Sequence, residues 1–496
     1  MKRNIKVDAY INKTENRKDD STMRISITNF RLVIVVALSL YTLTVAFIFW
    51  GFQDKSSWFP KRFRKSHLSE IQVLVDDDEE EMYEYVNKEE NPTIESDAEQ
   101  RETTFLKLGN IYIFSAYFDN RPNIRPKIRI MTIKQSNCSQ NIGCAFKYQN
   151  HWIRVYAERH EMCENHGRFY GGWMYFCDVP EQFIDTNSNA LSTSDIRLFE
   201  SNNLEMLVPI NITSQTYQDS SKFKLLGQFT DPIGICIPPL FGEINLPMLL
   251  QFIELGKIQG VTHFTFYLHK IDDSIRKILD HYQEKGDITL VEWILPSTIS
   301  LREIWYHGQM LTIQDCLYRN MARTKYLGFL DLDEFIIPLE YFKLTDLLDN
   351  YAKKLPTISN ISAFSFQSAF FDPKQLPDPS QQLKILQLQR RNSKLSKVRT
   401  KLLTVPQNVF ELGIHHVSKP IDEFKQVLYV DPDVAKIHHY RACIINFEPD
   451  MTCFKDLKDD TILKYSDELI QNYKDAVKNT MHLFAPANEL QKSSVK

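Results

Sequence analysis

The stretch Tyr326–Pro338 reads YLGFLDLDEFIIP. A mostly apolar run ends in Asp331, Leu332, Asp333 and Glu334, and then apolar residues resume. The run reads as a buried strand. Three carboxylates at its end need an explanation, because a buried carboxylate must be paired, protonated or bound to a cation. An extended chain would put Asp331 and Asp333 on one side, roughly 6.5–7 Å apart. Side by side they repel unless something positive sits between them.

Upstream the pattern alternates. IGICIP (Ile233–Pro238) is a short apolar strand. Asn245 and Pro247 mark a helix start, and Leu246, Leu249, Leu250 and Ile253 line one face. HFTFYLH (His263–His269) is a second strand. Asp272 or Asp273 caps the next helix, with Ile275, Ile278, Leu279 and Tyr282 as its stripe and Gly286 at its stop. ITLVEW (Ile288–Trp293) is a third strand. A helix near Gln309–Arg323 turns Met310, Ile313, Leu317 and Met321 inward, while Asp315, Arg319 and Arg323 recur along another face where they can pair. Strands alternating with helices predict a parallel, Rossmann-like sheet. Ligands bind beyond the carboxyl ends of such strands, so the acidic cluster is expected on the ligand edge.

Carboxylate oxygens there suit a hard cation such as Mn2+ or Mg2+. A hydrolase forming an aspartyl phosphate would want Thr or Val where Glu334 stands. A calcium loop would want Gly at its sixth position, but Ile336 is there. The phosphate-loop pattern GxxxxGK[ST] is absent. A nucleotide-sugar transferase, with a metal on a diphosphate leaving group, fits what remains.

The 496 residues carry a net charge of -4, which gives no basic footprint for nucleic acid. Leu32–Gln53 contains no charged residue and is long enough to span a bilayer. Five basic residues on each side leave orientation undecided by charge. All eight cysteines follow this segment, as do sequons at Asn137, Asn211 and Asn360. Both features predict a lumenal C-terminal part with disulfides; short spacing favours Cys163–Cys177 and Cys443–Cys453. No cysteine pair has zinc-site spacing. The expected organisation is a cytoplasmic tail (1–31), a transmembrane anchor (32–53), an acidic stem with DDDEEE at Asp76–Glu81 (54–104), a β-rich module (105–225) and an α/β domain (226–480).

IYIFSAYFDNR (Ile111–Arg121), CIPPLFGE (Cys236–Glu243), HFTFYLHKID, LVEW, GQMLTIQDCLYR (Gly308–Arg319), YLGFLDLDEFIIP and HHYR (His438–Arg441) follow one another in an order that resembles glycosyltransferase family 92, over roughly residues 105–470. The resemblance implies an α/β fold of GT-A type: a Rossmann-like mixed sheet with a smaller N-terminal β-rich module, behind a single transmembrane helix and stem. It implies a type II membrane protein of the Golgi. The implied reaction is metal-dependent, inverting transfer of galactose from UDP-galactose onto a glycan or glycoprotein acceptor, which is fucose of an N-glycan in characterised relatives.

On this resemblance Asp331 and Asp333 match the metal and diphosphate motif, with Mn2+ or Mg2+ as cofactor. Glu334 is either a further ligand or an orienting carboxylate. His439 falls on the HYR motif as a third ligand, though either His438 or His439 suits a core position. Lys401 or Arg441 would hold diphosphate charge, and Tyr267 and His269 end a strand where uracil or ribose would bind. The base is not fixed; Asp372 in AFFDP and Glu411 before GIHHV are candidates. The competing reading is a non-catalytic, membrane-anchored glycan-binding protein with a transferase-like fold, against which the intact DLDE argues.

Overall fold

The computed structural model describes residues 103–483, except 123, 186–189, 194, 217–230, 356–357, 445–447, 449–452, 454–455 and 482. The apolar segment Leu32–Gln53 and the acidic run Asp76–Glu81 lie outside the described residues. Among those residues no helix is long and apolar enough to cross a membrane.

Dense β-branched and aromatic residues put strands in the N-terminal part: β1 (Ile111–Asp119), β2 (Lys127–Gln135), β3 (Ile142–Tyr148), β4 (His151–Tyr156), β5 (Tyr170–Asp178), β6 (Ile196–Glu200) and β7 (Asn203–Pro209). β2 lies between β1 and β5 in one antiparallel sheet, and a second has the order β7-β6-β3-β4. Ile128, Ile130, Phe146, Tyr175 and Leu198 share one apolar cluster. Asp119 is buried and accepts from Arg121 Nε at 2.9 Å, from Thr216 Oγ1 at 2.9 Å and from Arg129. Burial works against this carboxylate's charge, but Arg121 and Arg129 outweigh it and hold its pKa well below the usual range.

The larger sheet grows from three strand–helix steps and a fourth strand: β8 (Asp231–Phe241), α1 (Leu246–Ile258), β9 (His263–Lys270), α2 (Asp273–Glu284), β10 (Ile288–Glu292), α3 (Gln309–Asn320) and β11 (Thr324–Phe329). Asn245 Oδ1 accepts from Met248 N at 3.0 Å and so caps α1. α1 runs past Gly256, whose missing Cβ lets Phe264 approach; an added Cβ would lie 2.8 Å from that ring. The four strands are parallel and stand in the order β10-β9-β8-β11. The order reverses between β8 and β11, which opens a crevice at their carboxyl ends. Beyond β11 the sheet continues as a mixed one, with β12 (Glu334–Pro338), α4 (Leu344–Lys354), β13 (Ile361–Phe370), β14 (Ser396–Thr404) and β15 (Ala435–His439) next in the chain. In space the order is β11-β14-β13-β15-β12.

The stretch Tyr326–Pro338 is therefore not one extended strand, as expected above. β11 ends at Phe329, Asp331–Asp333 forms a turn, and β12 leaves for the opposite edge of the sheet. Glu334 N donates to Asp331 O at 3.1 Å, and Glu334 Oε2 accepts from Asp331 N at 3.0 Å. The glutamate closes the turn with its own side chain.

The two sheets are joined by polar anchors on α3. Asp315 is fully buried and accepts from Ser115, Tyr117, Tyr267 and Arg319. The periodicity of Asp315 and Arg319 thus yields an ion pair, while Arg323 turns to Asp231 at 2.6 Å. Arg121 adds a bond to Val409 O at 2.6 Å. Met131, Leu317 and Phe329 fall in one apolar cluster spanning both sheets.

The disulfides are Cys144–Cys177, Cys236–Cys316 and Cys443–Cys453, leaving Cys138 and Cys163 reduced. Cys443–Cys453 agrees with the short-range expectation and Cys163–Cys177 does not. Cys177 faces Cys144 within the small module's core, whereas Cys163 Sγ points to Leu412 O at 3.7 Å. Burial pushes the Cys163 thiol up to about 12. Alkylation of the unfolded, unreduced protein is expected to label two thiols, and alkylation after reduction all eight. Four or more labelled before reduction would contradict this pairing.

Before α3, Tyr306, His307 and Gly308 all have positive φ, at 40°, 54° and 83°. Left-handed backbone at two side-chain-bearing residues costs energy. It is offset where His307 O accepts from Trp293 Nε1 at 2.7 Å and the His307 ring stacks on Phe241 with centroids 3.7 Å apart. Burial first, then His269 and Lys270, lower the His307 pKa from 6.5 to about 3. The unfolded chain therefore takes up this proton first. The stability from a neutral His307 is complete above pH 6.5 and drains as pH falls toward 3. From pH 7 to pH 5 the parent is expected to lose about 1–2 kcal/mol more than His307→Asn, read from denaturant midpoints. Parallel losses would refute the assignment.

Candidate active site

The acidic turn sits on the ligand edge, and the fold brings it two partners from far along the chain. Alternation along β14 points Lys401 at the turn, where its Nζ lies 2.8 Å from Asp331 Oδ2 and 3.0 Å from Glu334 Oε2. β15 pairs antiparallel with β12, placing His439 opposite Glu334. His439 Nε2 is 3.6 Å from Asp333 Oδ2, and its Nδ1 is 3.5 Å from Glu334 Oε1. The three acids thus divide. Asp331 faces Lys401, Asp333 faces His439, and Glu334 lies behind both.

Exposure separates their roles. The Asp331 and Asp333 side chains are 37% and 35% exposed, while those of Glu334, Lys401 and His439 are 1%, 4% and 5% exposed. Burial pulls Lys401 down, but Asp331 and Glu334 outweigh it and hold its pKa above the usual value. Burial also pushes Asp331 up, and Lys401 overcomes it to leave that carboxyl low. For Glu334 burial wins, with Asp331 and Asp333 adding to it against Lys401, and its pKa is raised. One lysine does not neutralise three carboxylates, so residual negative charge faces the opening.

Among the described residues, no three His, Cys, Asp or Glu side chains form a metal-binding group by themselves. The donor set fits a cation that shares its coordination with a bound phosphate rather than a closed protein cage. His439 Nδ1 is buried without a hydrogen-bond partner, with the Glu334 carboxylate behind it. A proton on Nδ1, facing that carboxylate, leaves the Nε2 lone pair aimed at Asp333, the orientation a ligating imidazole needs.

A cavity opens at the crevice between β8 and β11, lined by Ile237, Pro238, Gln309, Leu330, Asp331 and Lys401. The Cys236–Cys316 disulfide ties β8 to α3 beside it. Tyr267 lines it too, but its hydroxyl donates to Asp315 and its side chain is fully buried. That hydroxyl is spent on joining the two sheets, while Tyr267 still lines the cavity at the end of β9. His269 sits at the end of β9 with Nδ1 3.0 Å from Trp293 O, next to His307.

Glu411 is likewise corrected as a base candidate. It is 2% exposed and accepts from Cys163 N at 2.7 Å and from Ser418 Oγ at 2.8 Å, with His160 Nε2 at 3.2 Å. Burial raises its pKa, but the His160, Cys163 and Ser418 bonds outweigh it and hold it low. It clasps the small module to the domain. Asp372 stands two residues beyond β13, half-buried, with Oδ1 accepting from Lys374 N at 2.8 Å. Arg441 follows His439, its N–H donating to His439 O at 3.0 Å.

The neighbouring histidines now separate. His438 points to the other face, is fully buried and stacks on Phe371 with centroids 4.3 Å apart; burial lowers its pKa to about 3. It is the core histidine. His415 joins the site unannounced by sequence: Nδ1 is 2.8 Å from Thr400 O, and burial, then Lys401, lower its pKa to about 3. A histidine in a loop has no periodic signature, and only the return of that loop beside β14 places it there.

Over 355 residues the chain is 28% identical to Beta-1,4-galactosyltransferase galt-1 of Caenorhabditis elegans, covering 70% of this chain and 77% of that one. A glycosyltransferase family 92 protein of the same organism is 29% identical over 140 residues, covering 27% of this chain and 26% of that one. The solved S. aureus TarS 1-349 is similar at 9% identity with a TM-score of 0.25, covering 52% of this chain and 77% of that one, a likeness too slight to bear on the site. The family model of glycosyltransferase family 92 matches residues 231–480, from the first strand of the large sheet to the C-terminal helix, and the chain belongs to that family of glycosyltransferases.

Proposed function

We propose that this GT-A-type glycosyltransferase moves galactose from UDP-galactose onto a glycan acceptor, with inversion and with Mn2+ or Mg2+ bound. The observation that carries the reading is the divided acidic turn beside the crevice, with Asp333 facing His439 and Asp331 held by Lys401. The galactose assignment draws on the similarity, at 28% identity, to Beta-1,4-galactosyltransferase galt-1. Asp333 and His439, with Asp331, would hold the cation, which when bound offsets charge developing on the departing diphosphate. Lys401 fixes Asp331 and Glu334, and Glu334 orients His439. Arg441 lies close enough in sequence to supply further positive charge to the diphosphate.

Asp372 is the base in this reading. It takes the proton of the acceptor hydroxyl while that oxygen forms a bond to the sugar's anomeric carbon; the bond from that carbon to the diphosphate breaks and UDP leaves with the electron pair. The apolar segment Leu32–Gln53 would anchor the chain as a type II membrane protein of the Golgi, with the sequons at Asn137 and Asn211 on exposed positions of the lumenal part. The test is hydrolysis and transfer with UDP-galactose, UDP-glucose and UDP-N-acetylglucosamine, with Mn2+ and after EDTA. Galactose-selective, EDTA-sensitive turnover is expected. Binding of glycans without turnover of any donor would favour the non-catalytic glycan-binding alternative.

A further inference from the structure

The small module reaches the crevice from behind. Its loop between the strand Glu158–Glu161 and β5 carries Glu164, His166 and Gly167 at positive φ, 52°, 50° and 65°. Gly167 adopts that conformation freely, but Glu164 and His166 do so at a cost. The loop is nevertheless fixed. Gly172 N donates to Asn165 Oδ1 at 2.9 Å, and Asn165 Nδ2 donates to Gly172 O at 3.2 Å. Strain held at two side-chain-bearing residues directs attention to what those side chains reach.

Each reaches a different wall of the crevice. Glu164 Oε2 accepts from Ile414 N at 2.6 Å, at the tip of the hairpin formed by Val409–Leu412 and Val417–Pro420. Gly413 permits this approach, since a Cβ there would lie 2.7 Å from Glu164 Oε2. Ile414 lines the crevice together with Asp331 and Lys401. His415 follows it. Its O accepts from Thr400 Oγ1 at 2.7 Å and its Nδ1 lies 2.8 Å from Thr400 O, one residue before Lys401 on β14. The His166 ring packs on Trp305 with centroids 4.0 Å apart. Trp305 leads into the left-handed turn Tyr306–Gly308, and Gln309, directly after that turn, lines the crevice too.

We infer that Glu164 is a positioning residue for the nucleotide-sugar crevice: through it the small module holds the Ile414 wall in place, although Glu164 does not itself line the crevice. The inference rests on the transfer proposed above. A carboxylate accepting from a backbone N–H makes a charge-assisted bond, stronger than a neutral one. Without it the Ile414 N–H loses this acceptor, and the tip keeps the bond from Gly413 N to His416 O at 2.9 Å. The foot of the hairpin does not depend on Glu164. Leu412 O accepts from Gln314 Nε2 at 2.6 Å, Leu412 N donates to Gln314 Oε1 at 3.1 Å, and Glu411 stays clasped to Cys163 N. Loss of Glu164 therefore frees the tip, where the crevice wall is, and leaves the module attached.

The experiment measures UDP binding by titration calorimetry with Mn2+, and KM and kcat for UDP-galactose hydrolysis, on the parent, Glu164→Ala, Glu164→Gln and Tyr112→Phe, each with a thermal melt. Glu164→Gln retains an oxygen acceptor at the same reach. Tyr112→Phe removes a different bond between module and domain, the one of 2.6 Å between Tyr112 OH and Thr298 Oγ1, neither of which lines the crevice. Glu164→Ala is expected to weaken UDP binding and raise the donor KM by about tenfold, with kcat changed by less than about threefold. Glu164→Gln and Tyr112→Phe are expected to stay within about twofold of the parent. If the alanine variant does not fold, Glu164→Asp takes its place with the same expectation, since it keeps the charge but falls one methylene short. Unchanged UDP affinity in the alanine or aspartate variant, no recovery in Glu164→Gln, or an equal loss in Tyr112→Phe overturns the assignment. A parent that binds UDP but hydrolyses no donor overturns the transfer reading alone, and the Kd for UDP then decides on Glu164. A parent that neither binds UDP nor turns over UDP-galactose overturns both.

Discussion

Asp333→Ala is expected to remove sugar transfer while leaving the fold intact. The side chain is about one-third exposed, and its nearest ionisable partner is His439 Nε2 at 3.6 Å. Its structural contribution comes through the backbone, where Asp333 O accepts from Tyr440 N at 2.9 Å, and alanine keeps that bond. Removing one of three crowded carboxylates relieves repulsion in the cation-free protein. The loss therefore falls on the bound state. Losing one preorganised electrostatic contact typically costs ~10²–10³ in rate, and loss of the cation itself costs more. Asp333→Asn should retain part of the binding, because its amide oxygen still coordinates. The measurements are turnover of UDP-galactose against added Mn2+, and melting with and without Mn2+. The parent should gain thermal stability from the metal and the alanine variant should not. Full turnover in the alanine variant, or a parent indifferent to EDTA, would remove the cation from the mechanism.

Lys401→Met is expected to be the most destabilising single change near the site. Lys401 and Glu334 are both nearly inaccessible, and the lysine is shared between Glu334 and Asp331. Methionine preserves most of the volume, so packing is not the main loss. What remains is a buried carboxylate without its counter-ion, a defect that costs roughly 3–5 kcal/mol. Asp331 contributes less to the deficit because it reaches solvent. The deficit should shrink as pH falls into the carboxyl range, since a protonated Glu334 no longer needs the ammonium. A Lys401→Met/Glu334→Gln double variant should recover much of the melting temperature for the same reason. An unchanged melting temperature in Lys401→Met would mean that the pair is not buried in solution. Recovery in the double variant without recovery of transfer would separate holding the turn from supplying its charge.

The correction at Tyr326–Pro338 shows where local reasoning stops. Strand alternation predicts that Asp331 and Asp333 share a side, but this holds only while the chain stays extended. The chain turns there because β11 and β12 occupy distant positions in the same sheet, separated by β14, β13 and β15. The Tyr267 hydroxyl and the Glu411 carboxylate are turned away from a substrate for a related reason. Both stand where a site residue is plausible, yet each has its polar atoms taken by a partner on another element, Asp315 for one and Cys163 with Ser418 for the other.

By itself the sequence determined the run from Ile233 to Phe329 as alternating strands and helices and placed the acids at the end of the fourth strand, as the structure has them. Those features are encoded in residues a few positions apart, through the 3.6 and 2.0 periodicities and the caps. Only the tertiary structure decided which acid faces which partner. Lys401 arrives from 70 residues away, and His439 rather than His438 is turned to the site by the register of β15 against β12. It also decided that Cys177 meets Cys144 instead of Cys163. Periodicity records whether a side chain is buried; it carries no label for the side chain it will meet, and these choices are all choices of partner.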